Sequence, residues 1–135
     1  MSQNNTLHLA QEFLSRMGSG AVAAEIAKLF SENLEWEIAG DTGALPWLGR
    51  KSGRAAITDF VNDSRAMIER INFEVHDILS GDNRAVILGS LSSRLKRTGK
   101  TVRTDFAIVL TVANGEIVRF QMLEDSFAVS QAARG

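Results

Sequence analysis

Between residues 71 and 123 the chain turns back on itself three times. INFEVHDIL runs into Gly81-Asp82-Asn83, RAVILGSLSSRL into Thr98-Gly99-Lys100, and TVRTDFAIVLTV into Asn114-Gly115, after which EIVRFQML closes the series. Runs rich in β-branched and aromatic residues, bounded by Gly, Asn and Asp, read as strands. Asn-Gly between two such runs is the strongest short hairpin signal, because both central residues of the favoured turn need positive φ. The series therefore predicts an antiparallel meander. VILGSL and FAIVLTV are apolar at successive positions, so both faces of those strands must be covered. Helices can cover one face. Either a second subunit's sheet covers the other, or the sheet curls around its own interior.

The first half of the chain supplies the helices. Leu7, Ala10, Phe13, Leu14 and Met17 recur at helical spacing after a cap at Asn5 or Thr6, and Gly18 stops the run. Val22, Ile26, Leu29 and Phe30 mark a second, short helix. In NLEWEIAG the period changes to two, with Leu34, Trp36 and Ile38 alternating with Glu35 and Glu37, which predicts a strand with one wet face. Ser52 then caps a third helix striped by Ala56, Ile57, Phe60, Val61, Ser64, Met67 and Ile68. Ser126 to Ala133 adds a last helical turn or two. Helices first and a meander afterwards define an α+β domain with the helices on one face of a curved sheet. At 135 residues the chain is long enough for one such domain.

Composition removes several function classes. There is no cysteine, which excludes disulfides, thiol chemistry and thiolate metal sites. A net charge of −1 gives no basic surplus for nucleic acid or an anionic membrane. The sequence MSQNNTLHLAQEF has neither the basic nor the apolar region of a signal peptide, and no apolar run reaches the length of a membrane span, so a cytoplasmic protein is the expectation. His8 and His76 are far apart and lack the spacing of metal ligands, so no metal is expected, and His76 beside Asp77 reads as a surface strand residue. No phosphate-binding glycine motif occurs, and no cofactor is implied. SRLKRTGKTVR (93–103) carries five basic residues and no acid, which fits a solvated hairpin tip or a weak anion site.

The segment GDTGALPWLG (40–49) looks like a loop, yet it holds Leu45, Leu48 and Trp47, one of two tryptophans. A loop that spends such side chains folds over something apolar. Here the sequence resembles the nuclear transport factor 2-like superfamily, within it the polyketide-cyclase-like (SnoaL-like) and ketosteroid-isomerase-related branch. The strings that carry the resemblance are AEIAKLFSENLEWEIAG, ALPWLGRKSGRAAITDF and RTDFAIVLTVANGEIVRFQMLED, and it covers essentially the whole chain. It implies a cone: a strongly curved, mostly antiparallel sheet wrapped by three helices from the N-terminal half, with a deep apolar pocket at the open end. It also implies a homodimer packed sheet against sheet. The 40–49 loop would then be a wall or lid of the pocket.

The chemistry of the better-known relatives does not carry over. The positions that hold the Tyr and two Asp residues of the steroid isomerases fall on Leu14, Ile38 and Ala107, and the chain has no tyrosine. The Arg-x-Asp of the limonene epoxide hydrolases appears as Arg103-Thr104-Asp105, but one strand too late.

Three carboxylates remain as candidates. Asp105 sits mid-strand beside an apolar run; if it shares the pocket face with Ala107, it would resist ionisation and serve as acid or base. The competing reading is a wet residue paired with Arg103. Glu124 has the strand parity of Phe120 and Met122, which points it at the pocket or leaves it at a solvated strand end. In the relatives an acidic residue near this point often faces the pocket. Asp125 is either a second such acid or the N-cap of the last helix. Trp36, Trp47, Phe60, Phe106, Phe120 and Met122 are the expected pocket lining, with ordinary core as the alternative for Trp36. Together these residues predict a pocket for a small apolar molecule bearing a carbonyl or hydroxyl. The chemistry would be cofactor-free proton transfer (isomerisation, aldol-type cyclisation or hydration), or the domain would be a binding or dimeric interaction module without chemistry.

Overall fold

The computed structural model describes residues 3–135. In chain order its elements are α1 (Gln3–Ser19), α2 (Ala23–Ala27), β1 (Phe30–Ile38), β2 (Gly49–Ser52), α3 (Ala55–Met67), β3 (Ile68–Ser80), β4 (Arg84–Leu95), β5 (Thr101–Ala113), β6 (Glu116–Glu124) and α4 (Ser126–Arg134). The strands form one six-stranded sheet in the order β2-β1-β6-β5-β4-β3. All neighbours are antiparallel except β1 and β6, which run parallel with Trp36 opposite Phe120. Parallel neighbours need a long crossover, and the chain from α3 to β5 supplies it.

The Asn114-Gly115 turn joins β5 to β6 as expected, with φ of 53° and 78° and Ala113 paired to Glu116. β4 and β5 pair through eleven consecutive positions, Arg84–Thr111 to Arg94–Thr101. That register fixes which side chains face inward. Ala85, Ile87, Leu91, Leu95, Val102, Phe106, Ile108 and Leu110 are buried on the helix side, and the alternate residues point outward. The inner face meets α1 and α3 through an aromatic cluster. Phe13 lies edge-on to Phe30 and Phe120, and Trp36 stacks on Phe120 with centroids 4.3 Å apart and planes 9° apart.

β3, at the sheet edge, is bent by irregularities between Arg70 and Asn72 and between Val75 and Asp77. Such bulges flip side-chain parity, so Arg70 and Phe73, three residues apart, both face inward. Opposite the second bulge lies Gly89, where a Cβ would sit 2.1 Å from the Glu74 carbonyl oxygen and 2.7 Å from Phe106 Cζ. Only glycine lets the Phe106 ring lie against that strand.

Local expectations are corrected at helix starts. α1 begins at Gln3, so Asn5 and Thr6 lie inside its first turns, where Thr6 Oγ1 donates to the Asp82 carbonyl at 2.8 Å. Ser52 ends the short strand β2, and α3 starts after Arg54 without a side-chain cap. β2 itself was unanticipated: GRKS has no apolar period, and pairing with β1 alone makes it a strand. No helix among the described residues is long and apolar enough to cross a membrane.

Candidate functional site

The curved sheet and its helices enclose a cavity of about 340 Å³. Its walls are Phe13, Leu14 and Met17 from α1, Phe60 and Ser64 from α3, Phe73 from β3, and Leu91, Ile108, Phe120 and Met122 from the inner sheet. Gly18, Arg65, Arg70 and Phe73 are exposed residues on its border, which places the mouth between the C-terminal ends of α1 and α3 and the edge strand. A smaller cavity of about 50 Å³ adjoins it. It shares Phe60, Ile68, Arg70, Leu91 and Met122 with the first and adds Trp47, Val129 and Glu124.

The 40–49 loop reaches the end where the smaller cavity lies. Leu45, Trp47 and Leu48 are all buried, and Trp47 meets Phe60 edge-on at 5.8 Å. Its backbone is anchored by Trp36, whose indole Nε1 donates to the Trp47 carbonyl oxygen at 3.0 Å. α4 closes the same end, with Val129 against the small cavity. Asp41 ties loop to helix by accepting from Ser130 Oγ at 2.7 Å and Arg134 Nη2 at 2.8 Å. The Arg134 and Ser130 hydrogen bonds hold the Asp41 carboxyl far below the usual carboxylate range.

Glu124 ends β6 on the inner face, with the parity of Phe120 and Met122. Burial pushes its carboxyl up from the ordinary glutamate value; the Arg70 charge opposes this and the Asp125 charge adds to it. Arg70 lies on the same cavity wall. Although its strand position is at the exposed edge, its guanidinium turns inward, and Nη1 donates to Ser93 Oγ at 2.9 Å, on a residue only 3% exposed. The group also sits 5.3 Å from the centre of the Phe73 ring. Burial depresses its ionisation from the ordinary guanidinium value, partly offset by the charge of Glu124.

The other carboxylate expectations divide. Asp105 is exposed and points away from the cavity. The reason is strand parity: Phe106 is buried on the inner face, so its neighbour must face out, and Ala107 and Arg103 go with it. Asp125 is also exposed; its Oδ1 accepts from the Ala128 amide at 3.0 Å and caps α4. His76 lies on an exposed strand position with Nε2 3.3 Å from Ser90 Oγ. Among the described residues no group of three or more His, Asp or Glu side chains is placed to hold a metal.

Of the six expected lining residues, Phe60, Phe120 and Met122 border the large cavity and Trp47 the small one. Trp36 is core, 2% exposed, packed between Phe60 and Phe120 with its N–H already used. Phe106 stands behind the wall, stacked on Phe73 at 5.0 Å. Arg70, Arg65 and Ser93 were not anticipated. Arg70 falls at the seam where α3 passes into β3 without a loop, so neither the helical period nor the strand alternation reveals its direction.

A curved, unclosed six-stranded sheet wrapped by helices around such a cavity is the cone fold of the nuclear transport factor 2-like proteins. The sequence matches the SnoaL-like domain family over residues 10–120, and the chain belongs to that family. Solved structures agree on the fold. An NTF2-like protein from Burkholderia xenovorans LB400 superposes with a TM-score of 0.87 at 23% identity, covering 98% of each chain. TerC, co-crystallised with polyporic acid, gives 0.81 at 17% identity over 97% of this chain and 99% of that one. A protein from Xanthomonas campestris pv. campestris, proposed to be a polyketide cyclase, gives 0.76 at 14% identity over 98% and 99%. A search of the curated proteins gave no match.

Proposed function

We propose that the cavity binds a small, mostly apolar molecule bearing a carbonyl or hydroxyl, and that Glu124 moves a proton on it. One observation carries this reading: a carboxyl group whose burial raises its proton affinity, set beside Arg70 on the wall of a mostly apolar cavity. A carboxyl whose proton affinity is raised is suited to general acid and base work. The reaction class that follows is cofactor-free enolisation next to a carbonyl, the common step of isomerisation and aldol-type cyclisation, in a protein of the cytoplasm. The cavity is at the lower end of the volumes that hold small ligands, about 300–1,000 Å³. The co-crystallisation of TerC with polyporic acid and the cyclase proposal for the Xanthomonas protein lean the same way, on a shared fold.

A second reading rests on the outer sheet face. Val86, Leu88, Ala107 and Val109 are half-buried there and Leu123 is 48% exposed, an apolar surface on the paired central strands. We infer that this face packs against a second copy, whether or not the cavity does chemistry. In a pure binding or interaction module the dimer and the occupied cavity would be the whole function.

Exchange of α-hydrogens in 2-tetralone separates the two. In heavy water, proton NMR should show exchange accelerated by the wild type and reduced at least ~100-fold in Glu124→Gln, consistent with the usual contribution of a general base. Binding without accelerated exchange would leave the non-catalytic reading. Exchange that survives in Glu124→Gln would remove Glu124 from its role.

A further inference from the structure

We propose that the molecule held in this cavity carries an anionic oxygen, a carboxylate or an ionised enol, and that Arg70 binds it. This rests on the cavity being a ligand site and adds the charge of the ligand.

The charged side chains on the cavity walls are unbalanced. Arg65 and Arg70 border the large cavity, and no acidic residue does. Glu124 is the one carboxyl on the small cavity, beside Arg70. Yet among the described residues no carboxylate comes within ion-pair distance, 4.0 Å, of either arginine. Arg65 gives Nη1 to the Ala21 carbonyl, and Arg70 gives Nη1 to Ser93 Oγ. Both partners are neutral. A guanidinium has five donors in a planar fork matched to two oxygens, and the Ser93 hydroxyl takes only one of those on Arg70.

Arg70 is also aimed. Ser93 is buried and paired with Arg70 across the β3–β4 ladder, so its hydroxyl fixes one arm of the fork. The Phe73 ring supports the guanidinium through its π face. Arg70 lies on the wall shared by the two cavities. A ligand with its apolar body against Phe13, Ile108 and Phe120 would bring a polar end to Arg70, with Glu124 next to it. Ser93 is then a positioning residue: it acts through Arg70.

Calorimetry with matched probes tests this: 2-naphthoate against the neutral 2-naphthamide, and 2-hydroxy-1,4-naphthoquinone as an ionised enol. Wild type should bind at least one anion roughly tenfold or more tighter than the amide, with a preference that shrinks as salt is raised. Whichever anion wins identifies the source of the charge. Arg70→Gln should abolish the preference, weakening the anion roughly tenfold more than the amide, and Arg70→Lys should keep part of it, since it retains charge without the fork. Ser93→Ala should reduce the preference, weakening the anion more than the amide. Melting curves of each variant establish that it folds. Equal binding of anion and amide by wild type, or a preference that persists in Arg70→Gln, overturns the proposal and leaves the cavity as a neutral ligand site. Failure of all three probes to bind overturns both the proposal and the ligand-site reading beneath it.

Discussion

Replacing Trp36 by phenylalanine should loosen the wall of the site by removing one hydrogen bond. Phenylalanine keeps a ring against Phe120, where the indole now stacks at 4.3 Å, but it has no N–H. The Trp47 carbonyl then loses its donor inside a buried contact. A buried acceptor left unpaired costs about 1–3 kcal/mol. The smaller ring also withdraws apolar contact worth about 1 kcal/mol, at roughly 25 cal/mol per Å² over some 40 Å². The sum is about 2–4 kcal/mol, which for a domain of this size lowers the melting temperature by roughly 6–16 °C. The substitution leaves Trp47 as the only tryptophan, so its fluorescence reports the loop alone. Its emission should shift to the red and become accessible to a soluble quencher before global unfolding. In Trp47→Phe the carbonyl, a backbone group, is kept, so the cost should be no more than about 1–2 kcal/mol. A Trp36→Phe protein that loses less than ~1 kcal/mol, with Trp47 emission unmoved, would refute the claim that this bond anchors the loop.

Other consequences follow from the same geometry. Burial raises the Glu124 proton affinity in the folded chain, so the folded state binds more protons than the unfolded one between the ordinary glutamate range and the raised value. Wild-type stability should therefore fall relative to Glu124→Gln as pH rises through that window and level off above it, measured by denaturant titration at a series of pH values; a difference independent of pH would contradict this. Gly89→Ala drives a Cβ against the Glu74 carbonyl and the Phe106 ring and should cost at least about 1–3 kcal/mol by chemical denaturation, whereas an unchanged midpoint would mean the bulged β3 edge is wrongly placed. Asp125→Ala removes the α4 cap and should cost about 1 kcal/mol without changing probe affinity. Asp105→Asn, on the outer face, should stay within about 0.5 kcal/mol and leave hydrogen exchange on the probe intact.

Much of the fold was legible because its signals are local. Asn114-Gly115 specifies a turn that few other dipeptides can adopt, and the apolar stripes of α1 and α3 announce which face meets the sheet. The short β2 was not legible, since its only reason to be extended is the β1 edge beside it. The site shows the same division. Glu124 could be placed from the parity of Phe120 and Met122, which no bulge interrupts. Asp105 could not be, because an alignment to remote relatives set Ala107 inward and outweighed the simpler signal of Phe106 next door. Arg70 was hidden by two features that sequence patterns do not encode: the direct passage from α3 into β3, and the bulge that turns both Arg70 and Phe73 inward. Trp36 and Trp47 looked alike as aromatic candidates. Their roles separate only once one indole is seen donating to the backbone of the other.

The most direct test of the central claim is a pH titration of the Glu124 side-chain carboxyl carbon by NMR in the wild-type protein. A midpoint clearly above the unperturbed glutamate value of about 4.3 is predicted, as required of a buried group able to give or take a proton near neutrality. A midpoint at or below that value would mean a solvated or ion-paired carboxylate, and would contradict the assignment of Glu124 as the acid and base of this cavity.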